Sequence, residues 1–232
     1  MERAIEKISD IREIQKVKDR YQKSAGNYEK YIKLYNYFWQ IFGFRYEQWR
    51  RKTIDALNPR EGHTVLDLGC GTGLNFLHLE KRVGSSGHII GVDISNEMLA
   101  MSTKKIKKNN WRNISLINSD FNDYETPDKV DSIISTYSIG LGTKYKNIIE
   151  KSFQNLKPGG KFAILCFNDQ NLSIQAKIFL PFWLSCIQDY SKSTFAFNFK
   201  TPWDHIKEIF PKNSLQDFYG GLVYLALGIK SK

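Results

Sequence analysis

A mostly parallel α/β sheet of seven strands, with helices on both faces and an antiparallel last strand, is predicted for this 232-residue chain by three observations. From Gly62 onward short apolar runs alternate with helical segments, the pattern of parallel strands joined by crossover helices. The first run, Val65-Leu66-Asp67-Leu68, passes directly into glycines at alternate positions, Gly69, Gly71 and Gly73. The chain closes on two further apolar runs around Tyr219-Gly220-Gly221, the signature of a hairpin.

Taken in order, Met1 to Lys23 mixes both charges with Ile5, Ile8, Ile11, Ile14 and Val17, and predicts a helix whose apolar stripe drifts around its axis. Tyr28 to Trp49 concentrates aromatics, broken by Gly43 into two helical pieces. So many tyrosines need hydroxyl partners, which suits a pocket wall better than a dry core. Residues 1–60 therefore read as a helical lid and acceptor segment, and 61–232 as the main domain. There, a helix follows the glycines to Val83, and His88 to Val92 is a strand ending in Asp93. Asn96 to Lys108 is a helix capped by Ser95. Ile114 to Asn118 and Val130 to Thr136 are strands, and Lys146 to Leu156 is a helix stopped by Pro158-Gly159-Gly160. Lys161 to Phe167 is the fifth strand. Residues 168–200 form an irregular, Phe- and Trp-rich insertion on the acceptor side. Thr201-Pro202 opens a short helix ended by Pro211, and the closing hairpin follows.

A hydrophobic fraction of 41% and a charged fraction of 25% describe a soluble globular chain, and its densely charged first twenty residues show no secretory signal. Cys70, Cys166 and Cys186 are few and lack metal-type spacing, which points to a reducing, cytoplasmic setting and no metal. The net charge of +10 suits an anionic partner. Through Arg60 there are fourteen Lys and Arg against eight Asp and Glu, so the excess gathers near the N-terminus. That fits peripheral contact with an anionic membrane as well as it fits a solubilising surface.

The glycine spacing decides what the loop binds. A dinucleotide fingerprint needs G-x-G-x-x-G, and here Leu74 stands where the third glycine belongs. This counts against a nicotinamide oxidoreductase. Asp67, inside the strand, would repel a phosphate and suits a ligand with a positive group. Asp93, about 20 residues further on, ends the second strand where doubly wound folds hold a ribose diol. Asp120 and Phe121 follow the third strand. A ribose, an aromatic base and an amino-acid-like cation together describe S-adenosylmethionine.

These segments, with Gly91-Val92-Asp93-Ile94-Ser95, Ser119-Asp120-Phe121, Val130 to Tyr137 and Leu156-Lys157-Pro158-Gly159-Gly160, resemble successive motifs of class I S-adenosylmethionine-dependent methyltransferases. Within that class the chain resembles the ubiquinone/menaquinone C-methyltransferases and bacterial phospholipid N-methyltransferase-like proteins. The second likeness rests on Phe42-Gly43-Phe44, Trp49-Arg50, Gly73-Leu74-Asn75-Phe76, Thr201-Pro202-Trp203 and Tyr219 to Tyr224. The resemblance implies a Rossmann-like fold with S-adenosylhomocysteine as product. It implies that Gly69, Cys70, Gly71, Thr72 and Gly73 approach the methionine part and that Asp67 sits near its amino group. Asp93 would take the ribose with Ile94 against the adenine, and Asp120 and Phe121 would hold the base. Ser135 and Thr136 would line the floor, and Tyr28 and Tyr35 would cover the cofactor. Tyr35 and Tyr137 are the candidates for orienting the acceptor.

The acceptor is read as a small molecule or lipid. A quaternising amine of the phospholipid head-group type suits the aromatic wall, because cations bind ring faces. The apolar stretch Ile178 to Leu184 could then cover a lipid tail. C-methylation of a quinone-like ring is the alternative, and a non-catalytic protein binding S-adenosylmethionine or lipid is a third reading. Nucleic acid is disfavoured. No RNA-binding module is visible, and the basic cluster Lys104 to Lys108 lies on a helix expected to face solvent.

Overall fold

In the computed structural model the described residues are 40, 43–121, 123–139, 145–168, 172–174, 176–177 and 202–232. The expected helix at Met1 to Lys23, Tyr28, Tyr35, Thr201 and the apolar stretch Ile178 to Leu184 lie outside them.

Seven strands form one sheet in the order β3-β2-β1-β4-β5-β7-β6: β1 Thr64–Leu68, β2 His88–Asp93, β3 Ile114–Asn118, β4 Val130–Thr136, β5 Leu156–Phe167, β6 Lys212–Phe218 and β7 Val223–Ile229. β1 to β5 pair in parallel, and β7 is antiparallel to both neighbours, as expected. The helices are α1 Tyr46–Leu57, α2 Phe76–Val83, α3 Asn96–Lys108, α4 Tyr145–Asn155 and α5 Pro202–Ile209. Strand alternation divides the core between two faces. Val65, Ile134, Ala163 and Leu165 face a cluster holding Trp49, Ile54 and Leu57 of α1 and Leu79 of α2. Leu66, Ile133, Phe162 and Ile164 face Ile148 and Ile149 of α4 and Ile206 of α5. Helices thus cover both faces.

α1 is built into the sheet core. Its buried positions, Trp49, Arg50, Thr53, Ile54 and Leu57, recur at helical spacing, and Asn58 ends it in a left-handed cap at φ 49° ahead of Pro59. Trp49 stacks on Phe218 with ring centroids 5.6 Å apart, and Phe44 lies 4.0 Å from Tyr219, joining this end of the chain to the closing hairpin.

One boundary differs from expectation. Pro158-Gly159-Gly160 was expected to separate helix from strand, yet β5 begins at Leu156 and runs through it with a register shift. The reason is local pairing. Gly159, at φ +75°, donates its N–H to the Lys230 carbonyl at 3.1 Å, and Gly160 accepts from Lys230 N–H at 2.9 Å. The glycines form a bulge that continues the ladder.

Close packing at the far edge yields a prediction. A Cβ on Gly228 would lie 2.4 Å from the fully buried ring of Phe210. Gly228→Ala is expected to destabilise by about 1–3 kcal/mol, the cost of overpacking. A shift in urea midpoint with unchanged slope would check it.

Candidate functional site

The carboxyl ends of β1, β2, β3 and β4 converge on the glycine loop, where an open α/β sheet receives its ligand. Gly69, Gly71 and Gly73 all have positive φ, at 71°, 54° and 72°. Their surroundings differ. A Cβ on Gly69 would strike Ser138 at 2.0 Å and lie 3.4 Å from the Phe121 ring. One on Gly73 would strike the Phe76 ring at 2.5 Å, whereas one on Gly71 would meet nothing within 4 Å. The outer glycines are therefore needed for packing, and Gly71 leaves the space a ligand would occupy.

The loop is fastened from several sides. Gly69 and Cys70 both donate their N–H to the Val92 carbonyl, at 2.8 and 3.1 Å. Gly71 N–H donates to Asp93 Oδ2 at 2.8 Å, and Gly73 N–H to the Cys70 carbonyl at 2.9 Å. These four amides point back into the protein, so the expected approach of Gly69 and Cys70 to a ligand cannot run through their N–H groups in this conformation. On the opposite side Ser102 Oγ donates to the Gly71 carbonyl and Lys105 Nζ to the Thr72 carbonyl, both at 2.7 Å. Lys105 thus departs from the expectation of a wholly solvated basic face: Lys104, Lys107 and Lys108 are exposed, while Lys105 turns inward to the loop.

Asp93 ends β2 nearly buried, and its second oxygen accepts from Ser95 N–H at 2.9 Å. Burial raises its carboxyl above the ordinary value, opposed by the amides of Ser95, Gly71 and Ile94. A carboxylate offers about four lone-pair positions. With three of them engaged by these amides, the remaining position can accept from a ribose hydroxyl. Ile94 follows at the strand end, and its carbonyl accepts from Asn118. Asp120 and Phe121 follow β3. The Asp120 carbonyl receives the N–H groups of Asp123 and Tyr124, and the Phe121 ring lies over Gly69.

Beneath the loop is a buried polar network that sequence reasoning did not assemble. Asp67 is fully buried, and Asn75 Nδ2 donates to both of its oxygens at 2.9 and 3.0 Å. Arg50, from α1, donates through Nη1 to Asn75 Oδ1 and to Thr136 Oγ1, each at 2.6 Å. The Arg50 guanidinium also lies 5.8 Å from the centre of the Tyr137 ring. The only signals were Arg50 beside Trp49 and Asn75 after the glycines. Neither reveals burial, because an arginine is taken out of water only by tertiary contacts. Ser135, expected beside Thr136, lies on the opposite face of β4 by strand alternation, and its hydroxyl is buried without a partner among the described residues. Tyr137 sits at φ +57°, donates its N–H to the Leu165 carbonyl at 2.7 Å, and packs against Tyr46 and Phe167. Its buried hydroxyl has no partner among the described residues.

Burial pushes Asp67 from the ordinary 3.8 up to about 7, against the pull of Asn75 and Arg50. Between those values the folded ligand-free chain keeps a proton that the unfolded chain has released. Stability from this group is therefore complete below pH ~4 and lost as pH rises to about 7, by up to about 4 kcal/mol. Urea unfolding of Asp67→Asn should show a flatter dependence across this window than the parent.

The residues present fit S-adenosylmethionine: an open edge at Gly71, a buried Thr72 hydroxyl without a partner among the described residues, a carboxylate at the end of β2 with room to accept from a ribose, and a second carboxylate beneath the loop. Among the described residues no group of three His, Cys, Asp or Glu side chains could hold a metal ion, and no helix is long and apolar enough to cross a membrane.

Comparison with known proteins agrees with this geometry. A demethylmenaquinone methyltransferase from Bacillus velezensis is 32% identical over 149 residues, covering 62% of this chain. The match spans 63% of that relative's length. One from Halalkalibacterium halodurans is 26% identical over 227 residues, covering 88% of this chain and 90% of its own. The crystal structure of a SAM-dependent methyltransferase from Aquifex aeolicus shares the fold, with TM-score 0.52 and 19% identity over 78% of this chain and 88% of that one. The model of the ubiE/COQ5 methyltransferase family matches residues 13–197. The chain belongs to the ubiE/COQ5 methyltransferase family, within the class I S-adenosylmethionine-dependent methyltransferases.

Proposed function

We propose that this chain transfers a methyl group from S-adenosylmethionine to a ring carbon of a small quinol-type acceptor. The observation that carries the reading is Arg50, a buried guanidinium held against the Tyr137 ring beside the cofactor loop. The sequence alone favoured an amine that becomes a quaternary cation. A second cation would meet a fixed positive charge on this part of the aromatic wall, whereas an ionised ring oxygen would be stabilised by it. Two relatives named as demethylmenaquinone methyltransferases support the same choice.

S-adenosylmethionine supplies the electrophilic methyl group. Asp93 accepts from a ribose hydroxyl, Asp120 accepts from the adenine amino group, and Ile94 and Phe121 enclose the base. Asp67 provides the negative charge facing the methionine end, with Thr72 and Gly71 at the loop's open edge. Arg50 favours the ionised acceptor, which raises electron density at the neighbouring ring carbon, and Tyr137 donates its hydroxyl to an acceptor oxygen. Holding that carbon in line with the methyl, with water shut out, is the main work: proximity of this kind contributes about 7–11 kcal/mol. Residues 1–60, through Tyr28 and Tyr35, and the 168–200 segment complete the acceptor side, with the basic N-terminal surface meeting an anionic membrane from the cytoplasm.

Labelled S-adenosylmethionine offered with a short-chain demethylated naphthohydroquinone, and separately with phosphatidylethanolamine vesicles, tests the reading. Label is expected in the quinol. Label in the lipid amine alone would overturn the ring-carbon assignment and restore the amine.

A further inference from the structure

Asn75 occupies a position that neither the cofactor motifs nor the acceptor reading uses. Its side-chain amide is fully committed: two donor hydrogens serve Asp67 and Thr136, and the single oxygen receives Arg50. The residue is 1% exposed, so no water substitutes for these bonds. Only one orientation of the amide is compatible with its neighbours. Flipped, the NH2 would face the guanidinium, donor against donor, and Arg50 would lose its acceptor. Asn75 also stands at the first position before α2, where asparagine ordinarily caps the helix, yet its side chain makes no cap bond. The cap has been given up for the network.

We propose that Asn75 is a positioning residue that couples the two halves of the site, setting the Asp67 carboxylate on the cofactor side and the Arg50 guanidinium on the acceptor side through one amide. The proposal rests on the reading that Arg50 faces the acceptor. A cation arriving above the loop favours ionised Asp67. The ionised carboxylate pulls on the Nδ2 hydrogens, which makes Oδ1 a stronger acceptor and holds Arg50 more firmly. The other charged and titratable groups acting on Asp67 are Arg50 from α1, Asp93 from β2 and the Cys70 thiol of the loop. Asn75, by contrast, holds both of the Asp67 oxygens through hydrogen bonds. Occupancy of one half-site therefore changes affinity at the other, and the effect is reciprocal.

The test measures affinity for a short-chain naphthohydroquinone with and without S-adenosylhomocysteine. The parent protein is expected to show about a tenfold gain with the cofactor product bound. Asn75→Leu should reduce that gain below about twofold. Asn75→Asp keeps an acceptor for Arg50 but replaces the donors facing Asp67 with a second carboxyl, and its shape is conserved should the leucine variant fail to fold. Its pH profile for S-adenosylhomocysteine binding should move upward by about one unit or more, a readout that needs no acceptor. Arg50→Gln separates the two ideas. If it leaves acceptor KM unchanged, the placement of Arg50 on the acceptor side is wrong. If it raises that KM while Asn75→Leu keeps the tenfold gain and Asn75→Asp keeps the parent pH profile, the coupling role alone is overturned.

Discussion

Replacing Asp93 with alanine is expected to weaken S-adenosylmethionine binding by about 100–1000-fold, the largest effect of any single change in the chain. Two losses combine. The variant cannot receive a ribose hydroxyl, and it releases the N–H groups of Gly71 and Ser95 that its carboxylate holds at 2.8 and 2.9 Å. Hydrogen bonds to a charged group contribute about 1.5–3 kcal/mol each, and each 1.4 kcal/mol is tenfold in affinity. Asp93→Asn is expected to fall between, because the amide oxygen still accepts one N–H while its NH2 opposes the other. Titration calorimetry gives the answer directly. A change under about threefold for the alanine variant would remove Asp93 from the cofactor site.

The second large effect is expected at Arg50. Arg50→Met keeps much of the side chain's length but leaves Asn75 Oδ1 without its donor and takes from Thr136 Oγ1 the shorter of its two hydrogen bonds, in a site closed to water. One buried acceptor left unsatisfied costs about 1–3 kcal/mol and the lost hydrogen bond to Thr136 about 1 kcal/mol more, so a loss of about 3 kcal/mol is expected. For a domain of this size that lowers Tm by about 6–12 °C. Removing the guanidinium also removes one of the two influences holding the Asp67 carboxyl down, so that group keeps its proton to still higher pH. Scanning calorimetry at neutral and mildly alkaline pH would show both effects. A Tm unchanged from the parent would mean that Arg50 is not part of the buried network.

Most of the strand framework was legible in the sequence, because it depends on local pattern. Ile114–Asn118 and Val130–Thr136 begin and end where apolar runs meet Asn, Asp and Thr, and Ser95 caps α3 as its side chain suggests, accepting from Met98 N–H. The Pro158-Gly159-Gly160 segment was misread because proline and glycine signal a break wherever they occur. Only the late return of Lys230 shows that the ladder continues through them. The candidate site divides in the same manner. Asp67, Asp93 and the glycines lie within thirty residues of one another and carry a spacing. Arg50, Asn75 and Thr136 come from three separate elements, and nothing in their own neighbourhoods marks them as one unit. Lys105 was hidden for a related reason. Among four lysines on one helix, only tertiary geometry selects the one that reaches the Thr72 carbonyl.

That lysine, with Ser102, has a kinetic consequence. The two carbonyls at the loop's crest are anchored to α3, and the amide of Gly71 is anchored to β2, so the crest has little left to rearrange when a ligand arrives. Ordering costs of binding are met during folding. Encounter should then proceed without a slow isomerisation, giving a single phase in stopped-flow mixing whose rate rises linearly with ligand concentration. Lys105→Ala, which frees one tether without touching the ligand's contacts, should add a concentration-independent step.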